Sequence, residues 1–533
     1  MSAAVAMSDE AGGETPAPEL DQPILQPGRN CWRLEPVDRM ALMIDNADYF
    51  SALKSALMRA KRSIWILAWT FDPLARLSPD VVSKSRDPEQ TDRLGFLLRR
   101  LAALNPGLDV RILAWDMPPP IAASLLFAPQ RGQAFFMNSK VKFRLDNSLP
   151  NSASHHQKTV VIDGRIAFVS GGDMGPDRWD TCHHADHDPR RRLPNGRRYP
   201  ARHEVSMLVE GPAVQALAEL FTDRWTVATQ EPLTPFPPEV ETPWPPEVPS
   251  HFVKQKLGIV RTMAPWKGRP GAFENLRLHL DAIAAARELI FLENQYLTSP
   301  LVVEALAMRL LEPGGPEIVT IGPAESPSYF DQLTMDSARV AAIERLREVD
   351  PGGRFHAFTP HTPGGGPVII HSKVSIMDDR LLRIGSANLN NRSTGLDSEL
   401  DVAFEAAPGE EGAACRTAIA AFRNQLVGHY MERSGPEVAA AEIAQGSLGA
   451  AVRALDTATP RRMPFAECKE PGRFARFVAK WHLGDPTTPQ DAWNPWNRRK
   501  RLRNDLAQLL LDEPGEATRK ASQLVEGVAV PAP

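Results

Sequence analysis

Short apolar runs set behind helical stretches recur along the chain at matching intervals. AKRSIWILAWTFD (60–72) places a strand after the end of a helix, and AARELIFLENQYL (285–297) repeats that layout 225 residues later. A second strand follows each, in DVRILAWD (109–116) and EIVTIGPA (317–324). Next come HHQKTVVIDGRIAFVSGGD (155–173) and IHSKVSIMDDRLLRIGSAN (370–388), with His, Lys and Asp at the same relative positions. HEVSMLVEG (203–211) and SELDVAFEA (398–406) follow, where Glu204 matches Glu399 and Glu210 matches Glu405. Each repeat closes on an amphipathic helix with one apolar stripe, Val214, Leu217, Phe221 and Trp225 in the first and Ile419, Phe422, Leu426 and Tyr430 in the second. Those stripes are core positions. Ordered matches of this kind identify a duplication, and strands alternating with helices predict an α/β fold. Two duplicated lobes, each a mixed sheet between helices, are expected to pack about a pseudo-two-fold axis.

Composition refines the boundaries. Residues 1–30 are polar, small and proline-containing, and read as a flexible tail before a first lobe at 31–230. Eight prolines in the twenty residues of 231–250 prevent helix and sheet ladders, so this stretch reads as a linker to a second lobe at 251–434. A helical extension at 435–512 and a flexible tail at 513–533 complete the expected organisation. With 61 basic against 65 acidic residues the net charge is −4, which gives no general grip on nucleic acid. Cys31, Cys182, Cys415 and Cys468 form no CxxC pair, so a zinc ribbon or disulfide framework is not encoded and a reducing compartment fits. The start of the chain lacks the pattern of a secretory signal, and no run approaches the ~20 apolar residues that span a bilayer. A cytoplasmic or peripheral membrane protein is expected, with export lacking a cleaved signal as the alternative.

The chemistry concentrates in the duplicated HxKxxxxD blocks. A strand's period of two puts His156 and Lys158 on one face, and His371 and Lys373 likewise, so each lobe presents an imidazole beside an ammonium. That pair suits a phosphate. Two facing lobes supply both a nucleophile and an acid, so a phosphodiester can be cut in two steps without a metal. Core packing gives no reason to repeat three polar residues at fixed spacing, which sets aside the reading of these histidines as ordinary buried ones.

With two such motifs, the sequence resembles the phospholipase D superfamily over about residues 40–430. Within it the sequence is most similar to the eukaryotic-type phospholipases D, through Gly171-Gly172-Asp173, RWDT at 178–181, His203-Glu204, VEGP at 209–212, ENQY at 293–296, GSAN at 385–388, NRS at 391–393 and DSE at 397–399. Ser170 stands where relatives often have glycine. The lipid-binding modules of animal relatives and the calcium-binding domain of plant relatives are not recognisable, so regulation through them is not expected. The resemblance implies His156 as nucleophile and His371 as general acid, with Lys158, Lys373, Asn388 and Ser386 on the phosphate. Asp173 is the pseudo-equivalent of Asn388, and Glu204 and Glu399 are expected to accept from imidazole Nδ1. Asp163 and Asp378 belong to the motifs and read as structural supports at the strand ends.

The implied activity is hydrolysis of glycerophospholipid to phosphatidic acid, with transfer to alcohols as a side reaction, no cofactor and no metal. The expected enzyme is a monomer that meets a membrane surface peripherally and binds no nucleic acid. A cardiolipin synthase-like phosphatidyltransferase, a nuclease of the same superfamily and a non-catalytic lipid-binding scaffold are the alternatives. Three segments carry second readings. CHHADHD (182–188) offers zinc-type ligands but reads first as a solvated insertion at the site's rim. The arginines of 190–202 and NRRKRLR (497–503) read as a membrane-facing or solvated basic surface. MPPPIAASLLFAP (117–129) reads equally as a buried helix or as a surface that draws lipid from a bilayer.

Overall fold

A computed structural model describes residues 22–79, 92–124, 128–238, 240–326, 328–467 and 472–511. The first half supplies β1 (Arg33–Ile44), β2 (Ser63–Ala68), β3 (Asp109–Trp115), β4 (Lys142–Asp146), β5 (Thr159–Ile162), β6 (Ile166–Ser170), β7 (Arg202–His203) and β8 (Val205–Glu210). The second supplies β9 (Phe252–Met263), β10 (Ala272–Phe273), β11 (Leu289–Asn294), β12 (Glu317–Ile321), β13 (Phe355–Phe358), β14 (Ile369–Ile370), β15 (Lys373–Met377), β16 (Leu381–Gly385) and β17 (Glu399–Glu405).

The two lobes share one sheet. From its centre outward the first half runs β1, β8, β6, β5, β2, β3, β4 and the second runs β9, β17, β16, β15, β11, β12, β13, strand for strand. β1 and β9 join the halves antiparallel, from Arg33 opposite Ile259 to Met40 opposite Phe252. Within this sheet parallel pairing is confined to the outer strands of each half, β2 with β3 and β3 with β4, and β11 with β12 and β12 with β13. β2, β5, β6 and β8 are buried at every position, which is why their sequences are continuous apolar runs rather than alternations.

One face of the sheet carries a core common to both halves, built on the helices Ala213–Thr229 and Ala413–Tyr430 with the stripes read from the sequence. The opposite face carries two separate cores. Helices Asn46–Arg59 and Leu94–Leu104 cover the first lobe there, and Glu274–Ala285, Pro300–Leu311 and Ser337–Glu348 cover the second. The proline-rich segment packs onto the first lobe, with Trp244 buried and Phe236 5.3 Å from the Trp65 ring. Residues of the C-terminal extension cover the β13 edge, where Thr359 N–H donates to Pro464 O and Ala466 N–H to Ala357 O.

The basic surfaces expected from sequence are partly interior. Arg191 and Arg202 are buried, Arg191 on Asp180 at 2.9 Å, and Arg190 clasps Asp188 over the Trp179 ring. Arg498, within NRRKRLR, is buried and donates to Asp485 O at 2.5 Å. These guanidiniums are held by carboxylates or carbonyls that a reading of charge runs does not register. Among the described residues no helix is long and apolar enough to cross a membrane.

Candidate active site

Short crossings between the halves build the site. β14 runs parallel to β7, and His371 N–H donates to His203 O at 3.0 Å. The mirror crossing has His156 N–H donating to Ser398 O at 2.8 Å and Ser398 N–H to Ser154 O at 2.9 Å. Each motif histidine therefore enters beside the glutamate of the opposite half.

His156 Nδ1 lies 2.9 Å from Glu399 Oε2, in line as a hydrogen bond. Glu399 also accepts from Ser386 Oγ at 2.5 Å and Ser393 Oγ at 2.6 Å, so its carboxylate is held on both oxygens. His371 Nδ1 lies 2.5 Å from Glu204 Oε1. That contact is close but out of line for a hydrogen bond, and neither Glu204 oxygen has an aligned donor. Nδ1 of His156 is held by Glu399, and Nδ1 of His371 faces Glu204 and, at 3.2 Å, Lys373 Nζ, so Nε2 is the nitrogen of each ring left for chemistry. The imidazoles retain a small opening to solvent, at 14% and 11% exposure, while both glutamates behind them are closed off.

Each lysine curls back on its own histidine. Lys158 Nζ donates to His156 O at 2.7 Å and stands 3.8 Å from Asp173. Lys373 Nζ donates to His371 O and to Gln295 Oε1 at 3.2 Å. The Gly171-Gly172 step is needed because Lys373 of the second lobe and Glu204 of the first both press against it. A Cβ on Gly171 would stand 3.0 Å from Lys373 Cδ, and one on Gly172 would stand 2.6 Å from Glu204 Oε1.

Burial dominates the electrostatics. It drives His156 and His371 well below the ordinary histidine range, with the lysines adding to the effect, so both rings are neutral near pH 7. Burial lowers Lys373 to about 7 against the pull of Glu204, and raises Glu399 to about 7 against Lys158. Burial likewise raises Glu204, opposed by Lys373, Arg202 and Arg178. An uncharged histidine beside buried cations is the state a nucleophile of an anionic phosphorus centre needs.

Asp163 and Asp378 face away from this chemistry. Asp163 accepts the backbone N–H groups of Lys61, Arg62 and Ser63 at 2.7–2.8 Å, fixing the entry to β2. Asp378 does the same for Arg287, Glu288 and Leu289 at the entry to β11. Both sit at left-handed turns, with φ of 56° and 54°, followed by Gly164 at 63° and Asp379 at 49°. Asp173 Oδ1 accepts the N–H groups of Trp69 and Thr70, which ties β2's exit to the site. Ser386, expected on the phosphate, is fully buried, and its hydroxyl is committed to Glu399 and to Leu400 N–H. Asn388 is buried with Oδ1 unpartnered.

Sequence reasoning missed several neighbours. Trp69 sets its ring edge-on to His156 at 6.0 Å, and Trp115, Met117, Ala122 and Leu149 extend an apolar patch from it. Part of 117–129 thus packs inward at Ala122 while Ile121 is exposed, and residues 125–127 lie outside the described residues. Arg202, buried, and Arg178, half-buried, add positive charge beside Glu204. RWDT and the pair before Glu204 were the available signals. The 182–188 segment is not wholly solvated, since His184 and Asp188 are buried while Cys182, the free thiol of the segment, is exposed.

No protein-family profile matches the chain. Phospholipase D A of Dictyostelium discoideum is 26% identical over 430 residues, covering 68% of this chain and 32% of that protein. Phospholipase D2 of Bos taurus is 22% identical over 469 residues, covering 68% and 49%. Cardiolipin synthase A of Pseudomonas fluorescens strain SBW25 is 25% identical over 365 residues, covering 67% and 63%. The chain thus spans about a third to a half of the length of the two phospholipases D it matches. Among solved structures, phosphatidylserine synthase of Haemophilus influenzae Rd KW20 superposes with a TM-score of 0.51 at 13% identity, covering 74% of this chain and 88% of that one, a likeness of fold.

Proposed function

Given that the chain belongs to the phospholipase D superfamily, we propose that it cleaves the head-group phosphodiester of glycerophospholipids, releasing phosphatidic acid and the free head group. The observation that carries this reading is the pair of crossed His–Glu contacts, which leaves one reactive Nε2 per lobe. His156 Nε2 attacks phosphorus as the P–O bond to the head group breaks, and His371, which takes up a proton once the anionic phosphodiester offsets the cations that hold its ring neutral in the empty site, gives that proton to the departing oxygen. Water then attacks the phosphohistidine, passing a proton to His371, and the P–N bond breaks. The in-line bond to Glu399 favours His156 as nucleophile, because a saturated carboxylate fixes the tautomer and stabilises the cationic ring. Lys158, Lys373 and Asn388 are the groups for the non-bridging oxygens, and Asp163 and Asp378 act as supports. The reaction uses no metal at the phosphorus centre, and the enzyme works as a monomer at a membrane surface.

A transferase reading shares every step but the last, with glycerol or a second lipid attacking the phosphohistidine in place of water. The extent of the match to cardiolipin synthase A favours keeping it. One assay separates them. Phosphatidylcholine or phosphatidylethanolamine should yield phosphatidic acid in water and phosphatidyl-alcohol when a primary alcohol is added. Preference for glycerol or phosphatidylglycerol over water would transfer the assignment to a synthase, and cleavage of DNA with inert phospholipid would overturn the lipid reading. An acid quench during turnover should trap phosphatidyl on a peptide containing His156.

A further inference from the structure

Behind the active site, four residues remote in sequence converge in the interior. Asp45, His184 and His203 are buried, and His429, on the last turn of the helix Ala413–Tyr430, joins them, each with a ligand atom within 4.8 Å of the others. The hydrogen bonds around the cluster fix its tautomers. His429 Nδ1 donates to Leu426 O at 2.6 Å, which leaves Nε2 with its lone pair. His184 Nδ1 faces Asp180 Oδ2 at 3.2 Å and donates to it, which leaves its Nε2 likewise. His203 Nδ1 donates to Asp45 Oδ1 at 3.0 Å and turns the other carboxylate oxygen, Oδ2, toward the two free nitrogens. Asp45 Oδ2 is buried and has no hydrogen-bond partner.

Three electron-pair donors therefore point at one another. The two Nε2 atoms are 3.4 Å apart, and they lie 3.6 Å and 4.0 Å from Asp45 Oδ2. In a tetrahedral zinc site with bonds of about 2.0–2.1 Å, neighbouring ligand atoms stand about 3.3 Å apart, so contractions from about 0.1 Å between the two nitrogens to about 0.7 Å between His429 and Asp45 would close the set on an ion. The surroundings have the form of a metal site's outer layer, a carboxylate behind one histidine, a carbonyl behind the other and an imidazole behind the aspartate. The duplication supplies a comparison. By the helix stripes His429 corresponds to Arg224 in the first lobe, where the guanidinium itself meets the buried Asp146 at 2.7 Å. The second lobe has an imidazole at that position, while His203 bridges Asp45 and Glu293 and Arg191 answers Asp180, which leaves Asp45 Oδ2 as the carboxylate oxygen with no hydrogen-bond partner facing the two histidines.

We propose that Asp45 Oδ2, His184 Nε2 and His429 Nε2 bind a divalent transition metal, zinc by the character of its donors, as a clasp that fastens the 182–188 segment to both lobes. The clasp lies one residue from Glu204 through His203, so it bears on the support of His371 without touching phosphate. The rival arrangement is a proton shared between the two Nε2 atoms.

The test uses the full chain, stripped with a strong chelator, reloaded with zinc or cobalt(II), and desalted. Stoichiometric metal by elemental analysis, the absorption bands of tetrahedral cobalt and a higher melting temperature after loading are expected. His184→Ala and His429→Ala should abolish retention, and Asp180→Asn should weaken affinity about 10–100-fold by chelator competition. Cys182→Ser and His187→Ala, both exposed, should leave retention unchanged. Folded wild-type chain that retains no metal and shows no tetrahedral cobalt spectrum overturns the proposal in favour of the shared proton. Loss of retention in Cys182→Ser or His187→Ala, with His184→Ala still binding, overturns it in favour of a surface site. The cobalt spectrum of the wild-type chain decides even if a histidine variant fails to fold.

Discussion

Replacing Gly172 with alanine isolates the support of His371 without altering a group that touches substrate. The backbone there does not need glycine, because Gly172 is not among the residues at positive φ. The added methyl, however, would stand 2.6 Å from Glu204 Oε1 and 2.7 Å from Cδ, against ordinary contact that begins near 3.4 Å. The carboxylate must retreat by about 0.8 Å, and the His371 ring, 2.5 Å from that oxygen, is displaced with it. Misplacement of a catalytic group by ~1 Å costs about 100-fold, so a loss of roughly 30- to 100-fold in kcat/KM is expected, about 2–3 kcal/mol in the barrier. Overpacking should lower global stability by only about 1–3 kcal/mol, leaving a folded protein. Head-group release from a short-chain phospholipid gives the rate, and a thermal scan checks folding. Activity within threefold of the parent in a folded variant would refute the argument that the place of Glu204 governs His371.

The two glutamates should respond unequally. Glu399→Gln removes a charge held by His156, Ser386 and Ser393 and should cost about 10²–10⁴ in kcat, whereas Glu204→Gln, lacking an aligned donor, should cost less; the reverse order would exchange the roles of the histidines. Asp163→Ala deprives three backbone N–H groups of their acceptor and should lower unfolding free energy by about 3 kcal/mol in a denaturant titration, while the folded fraction keeps its reaction. Burial alone would raise the Asp146 carboxyl, but His155 and Arg224 outweigh it and hold the group far below the usual range. A lowered acid lends stability that is present above its unfolded value near 4 and is lost as pH falls below it, so melting temperature should drop from pH 5 to pH 3, and Asp146→Asn should flatten that drop.

The duplication was legible because its signals are local: a strand period, a turn, a stripe of apolar residues and four residues between lysine and aspartate. The place of Asp163 and Asp378 at strand ends is equally local, but the backbone N–H groups they hold lie about 100 and 90 residues earlier and leave no mark in the motif. What stayed hidden is long-range. Glu399 lies 243 residues from His156, and no spacing rule links them. The joining of β1 to β9 was equally silent, because ladder bonds are made by backbone that every sequence shares. His184 read as part of a polar loop for the same reason, as its companions Asp45, His203 and His429 are scattered over the chain. The motif places Ser386 on the phosphate, and the hydrogen bond that commits its hydroxyl to Glu399 is not written in that spacing.

The crossing of the halves makes each lobe incomplete in a specific way. A first half standing alone would carry His156 without Glu399 and would end its sheet at β1, an edge bearing unpaired backbone groups. The same surface on an identical copy would satisfy both deficits, pairing β1 with β1 and lending a glutamate to each histidine. A single chain that holds both halves is free of the strict symmetry such a pair of copies would impose. The differing hold of Glu399 and Glu204 is an asymmetry of that kind, which two identical copies could not display.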